Sequence, residues 1–391
     1  MMNESNSHSR VIANIRFPLM FGMLMSHAYG VVMSSGDYSY AWNVAGADMC
    51  RWMFDLCTYA IPQIVIPTFF TISGYLFFLK FGEDLCPKQW SWTAYLKKLV
   101  NRVYTLLIPY ILWCLIPVII GMLAAGYVAF NEGEVISESI REYLQGKNWR
   151  IFWVFYQDTD TTNVLGMRMP GTTAPFNFPL YYVRDLIGII LLSPVVFFYV
   201  RYTKWIGISF LVLCSFFGLL PNLPGLRSSA MLYFTFGALL SVWRYDYHRF
   251  FYKVLPIALI SSCPTLLYIL SGYPEFGMEW LVEGVYKISA VCAFSGILAW
   301  LTEHWNMKTP DWLSGSVFFI VVAHEGLYIL NLVTIAVMKL FPETSCHWLF
   351  FEYWLTIIIT LVLCVFLYVI IINYFPSLIF LTGSKKHRHT S

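Results

Sequence analysis

Ile15–Gly30 reads IRFPLMFGMLMSHAYG, an apolar run with one arginine near its start and one histidine near its end. Arg16 and His27 are eleven positions apart. At 3.6 residues per turn, eleven steps return to within about 20° of the same helix face, roughly 16 Å further along the axis. One face would therefore carry a cation and, three turns on, an imidazole, separated by Leu, Met, Phe and Gly. An ionisable group in such a run is costly and by default marks a functional site. The competing reading is structural: Arg16 snorkels to a membrane surface and His27 packs near a helix end.

The whole chain shares this apolar character. Of its 391 residues 58% are hydrophobic and 19% aromatic, while only 12% are charged, half of the ~25% typical of soluble domains. Repeated runs near the ~20 residues that cross a bilayer predict an all-α, polytopic membrane protein. The reading is a single domain over 1–391 with ten spans, at about 12–33, 59–80, 103–129, 180–200, 205–220, 229–243, 253–271, 282–302, 314–339 and 349–374. A net charge of +3 gives no reason to expect nucleic acid. The first ten residues are polar, and the first apolar run continues past Ala28 as a span rather than ending at a cleavage site. The nine cysteines show no metal-ligand spacing, so no metal is expected. A Cys50–Cys57 bond forms only if that connection faces an oxidising space.

The connections set the orientation. With the N-terminus in the cytoplasm, the cytoplasmic side holds 16 of the 25 Lys and Arg, among them Arg16, Lys97, Lys98, Arg102, Lys204, Lys385 and Lys386. That excess predicts both termini inside, in an inner or plasma membrane, with lipids as neighbours. The connection from 130 to 179 then lies outside. It opens acidic and turns aromatic, NWRIFWVFYQDTDTT, with Trp149, Trp153, Tyr156 and Asp158. Rings beside carboxylates suit a sugar, whose C–H faces stack while its hydroxyls hydrogen-bond; an interfacial Trp/Tyr belt is the alternative.

Other stretches carry weaker signals. Ser73-Gly74 in the second span lets another backbone approach closely, as does FTFGALLS at Phe234–Ser241. Lys98 and Arg102 share a helix face and, with Lys97, lie at the same boundary as Arg16, as positive-inside anchors or as a basic mouth for an anionic donor. Pro109 predicts a kink. Arg184-Asp185 opens the fourth span. His324-Glu325 lies inside the ninth span, where neighbouring residues point about 100° apart, so at most one is expected to face a given partner.

Taken in order, these pieces resemble the acyltransferase family 3 membrane proteins, integral-membrane O-acyltransferases of bacterial surface sugars. The family's basic residue and histidine with ten between them are Arg16 and His27. Its Phe-Phe-x-x-Ser-Gly is Phe69, Phe70, Ser73 and Gly74. Its basic run ending in Pro-Tyr is Lys97, Lys98, Arg102, Pro109 and Tyr110. Its Pro-Leu-Trp-Phe-Leu-Arg-Asp-Leu becomes Pro179 to Leu186, with Tyr181 for the usual Trp, and its Ser-x-x-x-Ile-x-x-x-His becomes Ser316, Ile320 and His324. Where the family often has two arginines three apart, this chain has Lys98 and Arg102 four apart. The periplasmic esterase-like domain fused to some relatives is not expected here, so the product would pass to a separate partner if one is needed.

The resemblance implies transfer of an acyl group, acetyl or longer, from cytoplasmic acyl-CoA to a hydroxyl of a cell-surface or lipid-linked carbohydrate. Arg16, Lys97, Lys98 and Arg102 would meet the CoA phosphates. Imidazole suits a general base near neutral pH, which gives His27 that role. Asp185 or Glu325 would orient it, Arg184 would stabilise an oxyanion or brace Asp185, and His324 would position the acceptor. Trp149, Trp153, Tyr156, Asp158 and Tyr181 would hold the sugar. No serine lies in a strand-to-helix elbow, so a serine nucleophile is not indicated. The rival from another class is a transporter or flippase for a lipid-linked sugar, with His27 and His324 relaying protons; no inverted repeat supports it. The orientation is testable in intact cells with a membrane-impermeant thiol reagent: Ser137→Cys should be labelled and Ser384→Cys protected, and the reverse pattern would overturn it.

Overall fold

The helix carrying Arg16 and His27 is the hub of the molecule. In a computed structural model, which describes residues 4–34, 52–79, 90–163, 165–271, 279–341 and 346–383, α1 (Glu4–Ser34) packs against α2 (Pro62–Phe78), α10 (Glu279–His304), α11 (Asp311–Gly326) and α13 (Cys346–Tyr374). One buried amide fixes its position. Asn14 donates to Thr302 Oγ1 (2.9 Å) and the Met307 carbonyl (2.8 Å), and accepts from Thr309 N (2.8 Å). A buried amide must be satisfied in this way, so α1 is locked in height and rotation against the end of α10.

The protein is all-α and polytopic, with two-residue strands confined to the 130–179 connection. Among the described residues, seven helices are long and apolar enough to cross a membrane, or eight if the bent pair α11 and α12 (Ile329–Leu340) counts as one span. Several expected spans take a different form. The third is one rod from Trp92 to Glu132: α3 (Trp92–Arg102), a π turn at Val103–Leu107, then α4 (Ile108–Glu132). The π turn absorbs the N–H that Pro109 lacks, so the chain widens by one residue there instead of breaking. Ser91 caps α3 by accepting from Ala94 N, and Gly133 (φ 73°) closes α4 in the left-handed conformation. Helix α5 (Ile136–Leu144) follows outside the rod.

The fourth and fifth spans meet at Lys204. Helix α6 (Tyr181–Leu191) leads into α7 (Ser193–Phe216), which Lys204 interrupts with φ 54° and ψ −134°. The chain reverses there, because Gly225 N returns to Asp185 and Asn163 reaches the Gly218 carbonyl. The sixth span is short: a π turn at Ala230–Phe234 and α8 (Thr235–Val242). Helix α9 (Tyr247–Leu270) and α10 pair along their length. The ninth span is broken. Helices α11 and α12 meet at 64°, across Tyr328, which sits at φ 55°. Cys50 lies outside the described residues.

Both small-residue sites form one contact. A Cβ on Gly74 would lie 2.1 Å from the Phe234 carbonyl oxygen, and one on Gly237 would lie 2.0 Å from that of Thr71. Helix α2 and the π turn leading into α8 therefore touch backbone to backbone, with Ser73 half-buried beside the contact. Gly74→Ala and Gly237→Ala should each lower the thermal midpoint of the detergent-solubilised protein, by overpacking of about 1–3 kcal/mol. Gly126→Ala is the control, because its Cβ would meet only ordinary contacts from 3.4 Å outward. Equal midpoints for all three would contradict the close approach.

Candidate active site

The break between α11 and α12 places the site. In an apolar surrounding the last carbonyls of α11 must be met locally: Ala323 O accepts from Leu327 N and Glu325 O from Tyr328 N, both at 2.9 Å. Asn177, itself buried, donates to the Val322 carbonyl (3.2 Å) and to the Trp113 carbonyl (2.9 Å). It ties the end of the long connection to α4 and α11 together. His324 and Glu325 thus occupy the last turn of α11, facing α1.

Both of them reach His27, so the expectation that only one would is corrected. His27 Nδ1 lies 3.7 Å from Glu325 Oε1, with side-chain exposures of 11% and 21%. The His324 ring meets the His27 ring edge-on at 5.1 Å between centroids. The helix ends at Gly326, and His27 fills the corner between the two side chains. His324 is fully buried, and its Nδ1 lies 2.8 Å from the Ile320 carbonyl. A carbonyl only accepts, so Nδ1 carries the proton and Nε2 keeps its lone pair. Among the described residues that Nε2 has no partner. One ligand atom from each of His27, His324 and Glu325 lies within 4.8 Å of the others, a residue set that is also able to ligate a metal ion.

A cavity of about 370 Å³ opens on this group, lined by Ser26, His27, Glu325, Thr172, Phe178, Tyr181 and Arg227. Phe178 stands edge-on to His27 at 5.8 Å. The roof is the 130–179 connection, folded on two short antiparallel ladders: Tyr156–Gln157 against Thr173–Ala174, and Thr161–Thr162 against Arg168–Met169. Asp158 accepts from the Thr172 hydroxyl, and Asp160 accepts from Gly171 N and Arg168 Nε. Gly171's N–H, and then Arg168, hold the Asp160 carboxyl below its usual range. These carboxylates brace the loop.

Asp185 lies away from His27, and Arg184 braces Asp185, one of the two roles expected of that arginine. Both are fully buried. Asp185 Oδ1 accepts from Arg184 Nε (3.0 Å) and Nη2 (2.8 Å) and from Gly225 N (3.0 Å), and its Oδ2 lies 3.1 Å from Arg227 Nε. Asp185 is committed to these two arginines and not to His27; Glu325 lies beside that ring. Arg184 also gives Nη1 to the Trp153 carbonyl and Thr173 Oγ1, and Nη2 to the Thr173 carbonyl. All five of its N–H groups are engaged, which leaves none for an oxyanion. It braces Asp185 and the roof. Trp153 is drawn into this brace, its ring beside Gly225 and Arg184 and outside the lining of the cavity. Trp149 is 69% exposed. Tyr156 stacks on Phe176 and meets Phe178, and Tyr181 lines the cavity.

Arg227 is the cation that the sequence reading missed. It lies over the Tyr181 ring at 4.0 Å, donates Nη2 to the Thr173 carbonyl (2.5 Å) and faces the cavity. Its surroundings, LPGLRSS, read as a turn, and only its sign marked it. Ser26, Thr172 and Phe178 gave no signal at all.

At the other end of α1, Arg16 and Arg102 lie close enough to repel one another, and Tyr182 sits beside Arg16. Among the described residues neither arginine has a carboxylate within ion-pair reach. Lys97 is exposed. Lys98 is committed, donating to the Phe77 carbonyl near the end of α2. The sequence reading thus brought Arg16 and Arg102 together correctly, with Lys98 turned to a different task.

Neither the comparison with curated proteins nor that with solved structures gave a match. The family model described as an acyltransferase domain matches residues 12–374, nearly the whole chain, and it takes in α1, the roof, the broken span and both ends of the site. The chain therefore belongs to acyltransferase family 3 and is a membrane acyltransferase.

Proposed function

We propose that the protein moves an acyl group, acetyl in the first instance, from cytoplasmic acyl-CoA to a hydroxyl of a carbohydrate held beneath the 130–179 roof. The observation that carries this reading is the His27–Glu325 pair opening on the roofed cavity. It lies three turns along α1 from an unpaired arginine cluster.

Arg16 and Arg102 meet the donor phosphates. Two guanidiniums that repel each other gain by sharing an anion, and charge-assisted contacts are the strong ones. The pantetheine arm runs past Tyr182 towards His27, roughly 16 Å along the helix. Glu325 accepts the Nδ1 proton of His27, which leaves Nε2 as the base. The 3.7 Å separation is long for a hydrogen bond, and such contacts tighten in the substrate complex. Nε2 takes the proton of the acceptor hydroxyl as its oxygen attacks the thioester carbonyl. The new C–O bond forms, the C–S bond breaks, and the proton passes from Nε2 to the departing sulfur. His324 Nε2 accepts from a second group on the acceptor. Tyr156, Tyr181 and Thr172 supply stacking and hydroxyl contacts suited to a sugar. The orientation that serves this chemistry has the Arg16 end and both termini in the cytoplasm and the roof outside, in an inner or plasma membrane, with transfer to any separate periplasmic partner following release.

Transfer of labelled acetyl from acetyl-CoA to glycan in membranes, at matched protein levels, tests the proposal. Loss of a general base typically costs roughly 10²–10⁴ in rate, so His27→Gln should be nearly inactive. His324→Gln should be milder. Arg16→Ala and Arg102→Ala should raise the donor KM by roughly 10- to 150-fold, for about 1.5–3 kcal/mol per lost contact. Chelation with EDTA should leave the wild-type rate unchanged. Substantial turnover by His27→Gln, or a rate lost to EDTA and restored by a metal, would overturn the base mechanism.

A further inference from the structure

Buried polar atoms are normally hydrogen-bonded, and His324 leaves one of its two nitrogens out of that rule. Its Nδ1 donates to the Ile320 carbonyl at 2.8 Å, while its Nε2 lone pair has no partner among the described residues. A ring fixed by one N–H on a backbone carbonyl, with the other nitrogen bare, is how a histidine is prepared to bind a metal: the outer contact sets its tautomer and its aim. One ligand atom from each of His27, His324 and Glu325 lies within 4.8 Å of the others. Among the described residues no other three His, Cys, Asp or Glu side chains gather so closely. The cysteines, whose spacing gave no reason to expect a metal, take no part.

The geometry is near what zinc requires. Zinc bonds to imidazole and carboxylate are about 2.0–2.2 Å long, which puts tetrahedral ligand atoms about 3.4 Å apart. His27 Nδ1 and Glu325 Oε1 already stand at 3.7 Å. The rest of the cluster closes to that spacing by side-chain rotation of His27 and Glu325, which border the cavity, about a stationary His324. Two nitrogens and one carboxylate oxygen suit zinc, whereas magnesium and calcium take shells of oxygen. The cavity of about 370 Å³ gives the ion a way in and a fourth position. Arg227 borders the same cavity and favours an anion such as chloride there.

We infer that His27, His324 and Glu325 form a zinc-binding site whose occupancy switches the enzyme off. A neutral imidazole has one lone pair. When the metal takes the one on His27, no base is left for the acceptor hydroxyl, and Glu325 is drawn from His27 to the metal. Any proton held on a ligating atom is released as the ion enters. The site itself stands on the geometry, and only the loss of activity rests on the acyl-transfer reading. In the orientation proposed above, the metal arrives from outside, at the end of α1 remote from the donor phosphates.

Zinc chloride is the probe, applied to the purified full-length protein after EDTA treatment. Equilibrium dialysis should find one tight zinc per chain. Cobalt(II) in its place should give the visible absorption of a tetrahedral ion. His324→Gln and Glu325→Gln should each weaken zinc by at least roughly tenfold, since even contacts that only orient a ligand are worth roughly 10- to 100-fold. His248→Gln is the control. It removes a different histidine–carboxylate contact, with Glu303 at 3.5 Å, and should bind zinc as the wild type does. Zinc should lower kcat for acetyl transfer with the donor KM unchanged, and EDTA should restore it. Equal uptake by the wild type and His324→Gln, or no tetrahedral cobalt spectrum in the wild type, would overturn the site and leave the acyl-transfer reading standing. Tight zinc with undiminished transfer would keep the site and remove His27 as the base.

Discussion

A carboxylate with no exposure holds the upper half of this molecule together. Asp185 gathers two guanidiniums and a peptide N–H, one donor from α6 itself and two from the 225–227 turn. Arg184 carries the roof through Thr173 and Trp153. Arg227 carries the cavity wall. Gly225, at φ +85°, carries the return from α7, in a conformation that costs glycine little. Burying such charges is expensive, and removing one partner typically costs about 3–5 kcal/mol because it strands the others. The roof, the wall and the start of α6 therefore stand or fall together, and the cavity over His27 exists because they do.

A second constraint shapes the lower boundary of that cavity. A helix broken inside an apolar layer exposes carbonyls that only protein can satisfy. Here Leu327 N and Tyr328 N meet those of Ala323 and Glu325, Asn177 ties Val322 to the roof, and the last turn of α11 carries His324 and Glu325. That turn sets two adjacent ionisable side chains against a third on α1.

Local signals in the chain were legible where local physics governs. The Arg16–His27 spacing needs only the helical repeat, and both ends of α1 carry it. Ser73-Gly74 and FTFGALLS announced close backbone approach, and they prove to approach each other. What stayed hidden depends on contacts between distant segments. Lys98 read as an anchor or a donor contact, and Arg184 as an oxyanion donor or a brace for Asp185, because nothing in their neighbourhood of sequence reveals the Phe77 carbonyl or the roof. Trp153 read as a sugar platform because its burial against Gly225 is a tertiary fact. The pairing of Glu325 with His27 joins α1 to the distant end of α11, and the break at Gly326–Tyr328 has no proline to announce it. Arg227 sits in a turn whose composition points only to a turn.

The central claim is that His27 and Glu325 act as one unit, base and orienting carboxylate. A double-mutant cycle on the rate of acetyl transfer tests it most directly, using His27→Gln, Glu325→Gln and the two together. Residues that work as a unit are non-additive. The account predicts that Glu325→Gln alone slows transfer strongly and that the double variant is no slower than His27→Gln. If the two losses multiply, Glu325 acts independently of His27 and the dyad is contradicted.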